Sequence, residues 1–449
     1  MLKRFLAAVL SAAMILAMSS CGKNNNEQVP DIAVTEDGKK IVKMYADINL
    51  YDNLYSQIAE FNNKNSEYEV QLTEYCKEFE ESMTRLNTDI TTGNPPDILI
   101  LDGALPLKSY NDKGLFADLY EFIDSDPDMK REDLIGSVLK ANEADGKLFK
   151  ISFDFYIDTV VGKTSLVGEK QGRTAEEFLE LAASYPDKRA MPADMTKYRA
   201  LQMFAYYGCN EYIDESTGKC SFNGDDFIKL LEFCDTFPSE FDGGGQEFRN
   251  ELADAFHNGT TLFYSDHPIV RFNSIRLLEH GLVGEPVTFM GFPNVGGNGS
   301  VIRSGSNEYA VMSASQNKEG AWEFLKYFLS EEYQDSFAME QENFPVRKSS
   351  LEFAAEEAKK GVYDSVLEEY YEPKMVFSGN IIGVGLNTDE DNRKICDLID
   401  SAVGHSQYTS HFYEIINEEA TMYFAGQRPA KETAEIIQNR IQNYLDENR

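Results

Sequence analysis

Between residues 41 and 101 the apolar residues change spacing in a fixed order, and no other feature narrows the fold as much. The stretch "IVKMYADI" predicts a strand, and "LYSQIAEFNNKN" follows with Leu54, Ile58 and Phe61 on one helical face. Next, "YEVQLTEY" alternates through Tyr68, Val70 and Leu72, while Phe79, Met83, Leu86 and Ile90 form a second helical stripe that Gly93 stops. Pro95 and Pro96 then lead into "DILIL", a continuous apolar run of the kind that a strand covered on both faces requires. The order is βαβαβ, which predicts an α/β, doubly wound open sheet whose ligands lie outside the carboxyl ends of its strands.

Later segments repeat the same grammar. "RTAEEFLELAASYP" predicts a helix from Thr174, with Glu176 and Glu177 complementing its dipole, and "NEYAVMSAS" predicts a strand. Trp322, Leu325 and Leu329 share a helical face, Gly426 stops a helix over "FYEIINEEATMYFAGQRP", and Ile437, Ile441, Tyr444 and Leu445 mark a final amphipathic helix. Such stripes are most simply core. About 400 residues of this kind exceed what one core usually serves, so two domains are expected.

Ahead of the fold, Phe5 to Met18 is almost wholly apolar and is preceded by Lys3 and Arg4. It is shorter than the roughly 20 residues a membrane span needs and closes on small residues, so it reads as a secretory signal. The order Met18, Ser19, Ser20, Cys21 resembles the lipobox of bacterial lipoproteins, with Met18 where those proteins usually have Leu. The resemblance implies that residues 1–20 are removed and that Cys21 carries lipid as the new N-terminus, which makes lipid the one membrane attachment expected here. Residues 21–40, with Asn24, Asn25, Asn26, Pro30 and Gly38, show no period and read as a flexible tether. From Gly22 to Lys40 that tether spans roughly 25 Å as a coil and at most about 60 Å stretched.

The chain carries 42 basic and 76 acidic residues, a formal charge of −34. A field of that sign opposes nucleic acid and anionic headgroups, and an acidic solvated surface is its plainest reading. After Cys21 five cysteines remain (Cys76, Cys209, Cys220, Cys234 and Cys396), too uneven for a disulfide framework, although Cys209 and Cys220 bracket a turn-rich segment and are candidates to pair. No Cys/His cluster has metal spacing, the five histidines include no i, i+4 pair, and "NTDEDNRK" reads as a helix start rather than a calcium loop. No nucleophile elbow, HExxH, P-loop or dinucleotide fingerprint is present, and "FDGGGQ" and "NVGGNGS" read as turns. Neither a cofactor, a metal nor a catalytic residue is therefore expected.

The stretches "IAEFNNKNSEYEV", "LNTDITTGNPPDILILDGALPLKSYNDKGLFADLYEFI", "GKLFKISFDFYIDTVVGK", "RTAEEFLEL", "FHNGTTLFY", "GFPNVGG", "SNEYAVMSASQNKEGAWEFLKYFLSEEYQDSF" and "NFPVRKS" occur in that order. Together they resemble the extracellular solute-binding proteins of ABC importers, in the family that includes maltose- and oligosaccharide-binding proteins. The resemblance implies a two-lobed periplasmic-binding-protein-like (type II) fold, each lobe an open, mostly parallel sheet flanked by helices. By analogy residues 41–150 and 305–345 form lobe 1, residues 151–304 and 346–449 form lobe 2, and the hinge crosses near 149–153, 305–309 and 344–347. It further implies a monomeric receptor on the extracytoplasmic face, holding a small solute, with carbohydrate favoured, for ABC permease subunits. A peptide, polyamine or other polar solute is the alternative within the class; a surface glycan hydrolase or a sensor subunit stands outside it.

In that frame the loops after the first strands nominate Asp47, Asn49 and Asp102, whose carboxylates and amide suit paired hydroxyls. Asp97 reads as a strand-entry residue. Asp154, Phe155 and Tyr156 follow the first crossing, with core packing expected for at least one of the two rings. Asp266 and His267 occupy the region where sugar-binding relatives often present Trp. Tyr206, Tyr207, Glu308, Tyr309, Phe344 and Asn380 complete the expected ligand-binding set.

Overall fold

The structure is a computed structural model that describes residues 32–46, 54–74, 79–101, 105, 107–214, 217–241, 243, 246–265, 268–293, 299–340, 342–377, 380–404 and 409–447. The chain packs as two compact units, one of residues up to 102 with 110–117 and 309–327, the other of 103–109, 118–308 and 328–449.

In the first unit, strands Lys40–Ala46, Tyr68–Glu74 and Ile98–Leu101 and helices Leu54–Lys64 and Phe79–Thr91 follow the expected βαβαβ order. The first strand lies parallel to the second from Lys40↔Tyr68 to Ala46↔Glu74, and parallel to the third at Met44↔Ile98. Strand Glu308–Val311 closes the sheet beside the third. Asp97 enters its strand as expected, 5% exposed, accepting from the Lys43 amide at 2.8 Å and from the Ser315 hydroxyl at 2.5 Å. Asn317 begins helix Lys318–Phe328 by accepting from the Gly320 amide, while its own amide donates to the Ile41 carbonyl. Trp322 is buried on that helix, and Phe324 meets Phe61 edge-on at 5.2 Å.

The second unit holds two small sheets, one of strands Val301–Ser304, Asp154–Asp158 and Phe344–Pro345, the other of Phe263–Tyr264, Val161–Lys163 and Val287–Phe289. Both differ from the mostly parallel sheet expected of each lobe, because every pair in them is antiparallel. Helices Ala175–Ala183, Asp225–Asp235, Thr409–Phe424 and Ala430–Glu447 surround a core that includes Phe178, Phe204, Phe227, Phe263 and Ile437. The first of these starts as the sequence predicts: Thr174 accepts from the Glu177 amide and Glu177 accepts from the Thr174 amide, a reciprocal cap. Asp389–Ser401 begins the same way on Thr388 and Asp391, which confirms "NTDEDNRK" as a helix start.

Gln334, wholly buried, ties three separate segments. Its amide nitrogen donates to the Phe153 and Phe328 carbonyls and its oxygen accepts from the Val346 and Arg347 amides. Cys220 is a free thiol facing the Gln438 carbonyl and the Gln442 side chain, so it forms no disulfide with Cys209. Two hairpins, Val362–Asp364 with Glu369–Tyr371 and Lys374–Phe377 with Asn380–Gly383, follow one another in the chain. No helix among the described residues is long and apolar enough to cross a membrane.

Candidate functional site

Strand Asp154–Asp158 sorts its side chains by alternation. Phe155 and Ile157 are 1% and 0% exposed, whereas Tyr156 and Asp158 stand half-buried on the other face. Antiparallel pairing sets Arg303 opposite Tyr156. The Arg303 guanidinium is then diagonal to Asp158, with Nε 3.8 Å from Oδ2.

Two tyrosines complete the face. Residues Gln202–Tyr206 form a wide turn of π type, a distortion that re-aims side chains and is frequent at functional sites. It leaves Tyr206 and Tyr207 edge to face at 5.3 Å. The Tyr207 hydroxyl donates to Asp158 Oδ2 at 3.3 Å, and its ring stacks on Phe292 at 4.3 Å and 13°. Two glycines permit that stack. A Cβ on Gly208 would lie 2.9 Å from the Pro293 carbonyl, and one on Gly299, at φ +67, only 1.8 Å from the Phe292 carbonyl. The Phe292 amide donates to the Gly299 carbonyl at 2.9 Å, pinning the base of the loop.

Tyr156, Asp158, Tyr206, Tyr207 and Arg303 thus belong to one face of one unit, and Phe292, 2% exposed, packs beneath Tyr207 as its support. Burial pushes the Asp158 carboxyl above the ordinary range, while the Arg303 charge and the Tyr207 hydroxyl pull it back. Burial, joined by the Asp158 charge, pushes Tyr207 far upward, so it remains a phenol that donates. Aromatic rings beside a carboxylate and a forked guanidinium suit a solute with apolar faces edged by hydroxyls.

Of the expected residues, the structure brings Tyr156, Tyr206 and Tyr207 together. It commits others to packing. Phe155 and Phe344, each 1% exposed, lie 5.4 Å apart in the interior, and Tyr309, 0% exposed, donates its hydroxyl to Gln57 at 3.0 Å. Their rings are taken by their neighbours because each sits on the inward side of its strand. Asp154 is 3% exposed and accepts from the Asn343 amide at 2.7 Å; burial raises its pKa. Glu308 accepts from Lys150 and from the Ser304 hydroxyl, each at 2.6 Å, and although burial opposes its charge these partners lower its pKa overall. Asn380 is exposed at the start of a hairpin's returning strand. Asp47, Asn49, Asp102, Asp266, His267 and Cys21 lie outside the described residues.

Sequence reasoning missed Asp158 and Arg303, and also Phe292, the buried ring that supports Tyr207. Asp158 carried a signal, since it shares the alternation of Tyr156. Phe292 stood inside the quoted "GFPNVGG" without being singled out. Arg303 had none, because only strand register brings it opposite Tyr156. Among the described residues no group of three or more His, Cys, Asp or Glu side chains is arranged to hold a metal.

A family model described as bacterial extracellular solute-binding protein matches residues 56–362. The chain belongs to that family. No curated protein matches this solute-binding protein significantly. Among solved structures it is similar to the sugar-binding protein MalE of Xanthomonas citri, at 14% identity and a TM-score of 0.58 over 91% of this chain and 98% of that one. An ABC substrate-binding protein from Listeria monocytogenes in complex with cycloalternan is 15% identical, with a TM-score of 0.53 over 91% and 99% of the two chains. A cyclic alpha-maltosyl-1,6-maltose binding protein from Arthrobacter globiformis is 13% identical, with a TM-score of 0.51 over 91% and 100%. At such identities the likeness is one of fold. This solute-binding protein has the two-lobed α/β fold expected from its sequence, and its family places it outside the cytoplasm.

Proposed function

We propose that this protein is a carbohydrate receptor of an ABC importer, taking up an oligosaccharide without altering it. The observation that carries the reading is the face of Tyr156, Tyr206 and Tyr207 around the Asp158 and Arg303 pair. A sugar ring has apolar C–H faces for aromatic packing and an equator of hydroxyls for charged partners, which is what that face offers. Similar folds whose structures hold cycloalternan, tagatose, maltose or acarbose support the choice of carbohydrate over peptide or polyamine.

Asp47, Asn49, Asp102, Asp266 and His267 are proposed to add further contacts. We read the receptor as a monomer that closes when solute engages it and is then recognised by its permease. Lipid on Cys21 keeps it at the membrane; two acyl chains suffice for stable anchoring where one does not.

Titration calorimetry with linear and cyclic maltooligosaccharides, with product analysis of the same mixtures, tests this. Saturable one-to-one binding with unchanged sugar is expected. Sustained turnover would replace the receptor by a hydrolase, and binding of peptides or amines alone would remove the sugar.

A further inference from the structure

Ten large apolar side chains stand exposed among the described residues, and seven of them fall between Val366 and Leu386. Six of these belong to the two consecutive hairpins, which Glu372 and Pro373 join, and Leu386 lies three residues beyond the second. In the second hairpin Met375 and Phe377 face inward, Met375 toward Gly281 and Phe377 toward His257, its ring 5.3 Å away. The outward positions should then be polar, as on any antiparallel ribbon with one wet face. Instead Val376 and Ile381 pair directly across it at 70% and 72% exposure. In the first hairpin the turn at 365–368 carries Val366 at 88% and Leu367 at 60%, where turn chemistry favours polar residues. Water-facing positions that could be polar at no structural cost are apolar in both hairpins, which marks a contact surface.

Two observations select what covers it. Val366 and Leu367 project from a turn instead of lining a groove, the form of a wedge that enters a soft medium. The sequence before residue 32 carries the expected lipid-bearing Cys21 only eleven residues ahead of the first described one. A second copy is disfavoured, since each carries −34 and the hairpins themselves bear Asp364, Glu368, Glu369 and Glu372 against Lys374. We propose that these hairpins dip their apolar side chains into the outer face of the membrane to which the chain is anchored. The proposal rests on the anchored reading, because a tether gives a millimolar-scale effective concentration at which a few side chains suffice. The acidic rim makes zwitterionic lipid the better partner than anionic lipid.

Trp322 is the one tryptophan and is 6% exposed, so an added tryptophan reports its own surroundings. The full chain, prepared with its lipid, is incorporated into vesicles of brominated phosphatidylcholine as Ile381→Trp, Leu367→Trp or, as control, Tyr55→Trp; Tyr55 is 56% exposed elsewhere. At least twofold stronger quenching of the two hairpin variants than of the control is expected, weakening as phosphatidylglycerol replaces phosphatidylcholine. Equal quenching of all three in a chain that takes up radiolabelled palmitate overturns the hairpin contact alone. An unacylated chain without quenching overturns contact and anchor together, while quenching in an unacylated chain sustains the contact and discards the anchor. Dimerisation that shields the Ile381→Trp fluorophore without lipid assigns the surface to a second copy and overturns the proposal.

Discussion

Asp158 sits where burial works against its charge and two donors work for it. Hydrogen bonds to a charged group contribute about 1.5–3 kcal/mol, so Asp158→Asn is expected to weaken sugar binding roughly 10- to 100-fold, read by calorimetry, with little change in melting temperature. Glu211 offers a pH signature away from that face. Its carboxyl is pushed up to about 7, first by burial and further by Asp226 and Glu177, against two hydrogen bonds from the Ala175 amide. The folded chain therefore holds a proton that the unfolded chain releases near the ordinary value of 4.5. Stability from this group falls as pH rises from about 4.5 to about 7 and is level above that. Glu211→Gln is expected to flatten that part of the melting-temperature profile; a slope unchanged from the parent would assign it to other groups. At this scale Tyr156 was legible as a candidate, but which of Phe155 and Tyr156 packs inward was decided only by the folded strand, and Arg303 was not legible, because no local pattern encodes which distant strand will lie opposite.

Elements were read more securely than residues. Each helix and strand of the βαβαβ stretch appears where its apolar spacing put it, since burial of one face decides both the period and the element. The Thr174 cap was legible only as a helix start; Thr174→Ala loses one half of the reciprocal bond and is expected to cost about 1 kcal/mol, measured by chemical denaturation. The antiparallel sheets of the second unit were not legible, because strands as short as Val287–Phe289 leave too few residues to show a period. Nor was the π turn, whose extra residue is set by packing. The Phe292 loop gives a sharper test. Gly299→Ala forces a Cβ against the Phe292 carbonyl in a backbone conformation that alanine resists. It is expected to displace Phe292 from Tyr207, lowering melting temperature and sugar affinity together, in contrast to Asp158→Asn, which lowers affinity alone.

For the whole molecule, a charge of −34 means self-repulsion in the compact state. Raising ionic strength from about 0.01 to about 0.15 M shortens the screening length from roughly 30 to 8 Å, so melting temperature is expected to rise over that range. A fall would show that specific ion pairs such as Arg440 with Glu418 and Glu419 outweigh the net field. A receptor that signals occupancy needs a solute with different affinities for its two states. Small-angle scattering is accordingly expected to give a smaller radius of gyration with bound oligosaccharide, and an identical profile would separate binding from closure. The order of motifs was enough to predict two lobes, whereas the paired segments that build the aromatic face are remote in sequence and had to be seen folded.

The amide of Gln334 reads two carbonyls and two amide hydrogens at once. Hydrolysis of that amide would exchange its donating nitrogen for an oxygen and set lone pair against lone pair at Phe153 and Phe328. Because Gln334 is wholly buried, no water would take the place of the lost donor, so the exchange of one atom would loosen three chain segments from a single interior point.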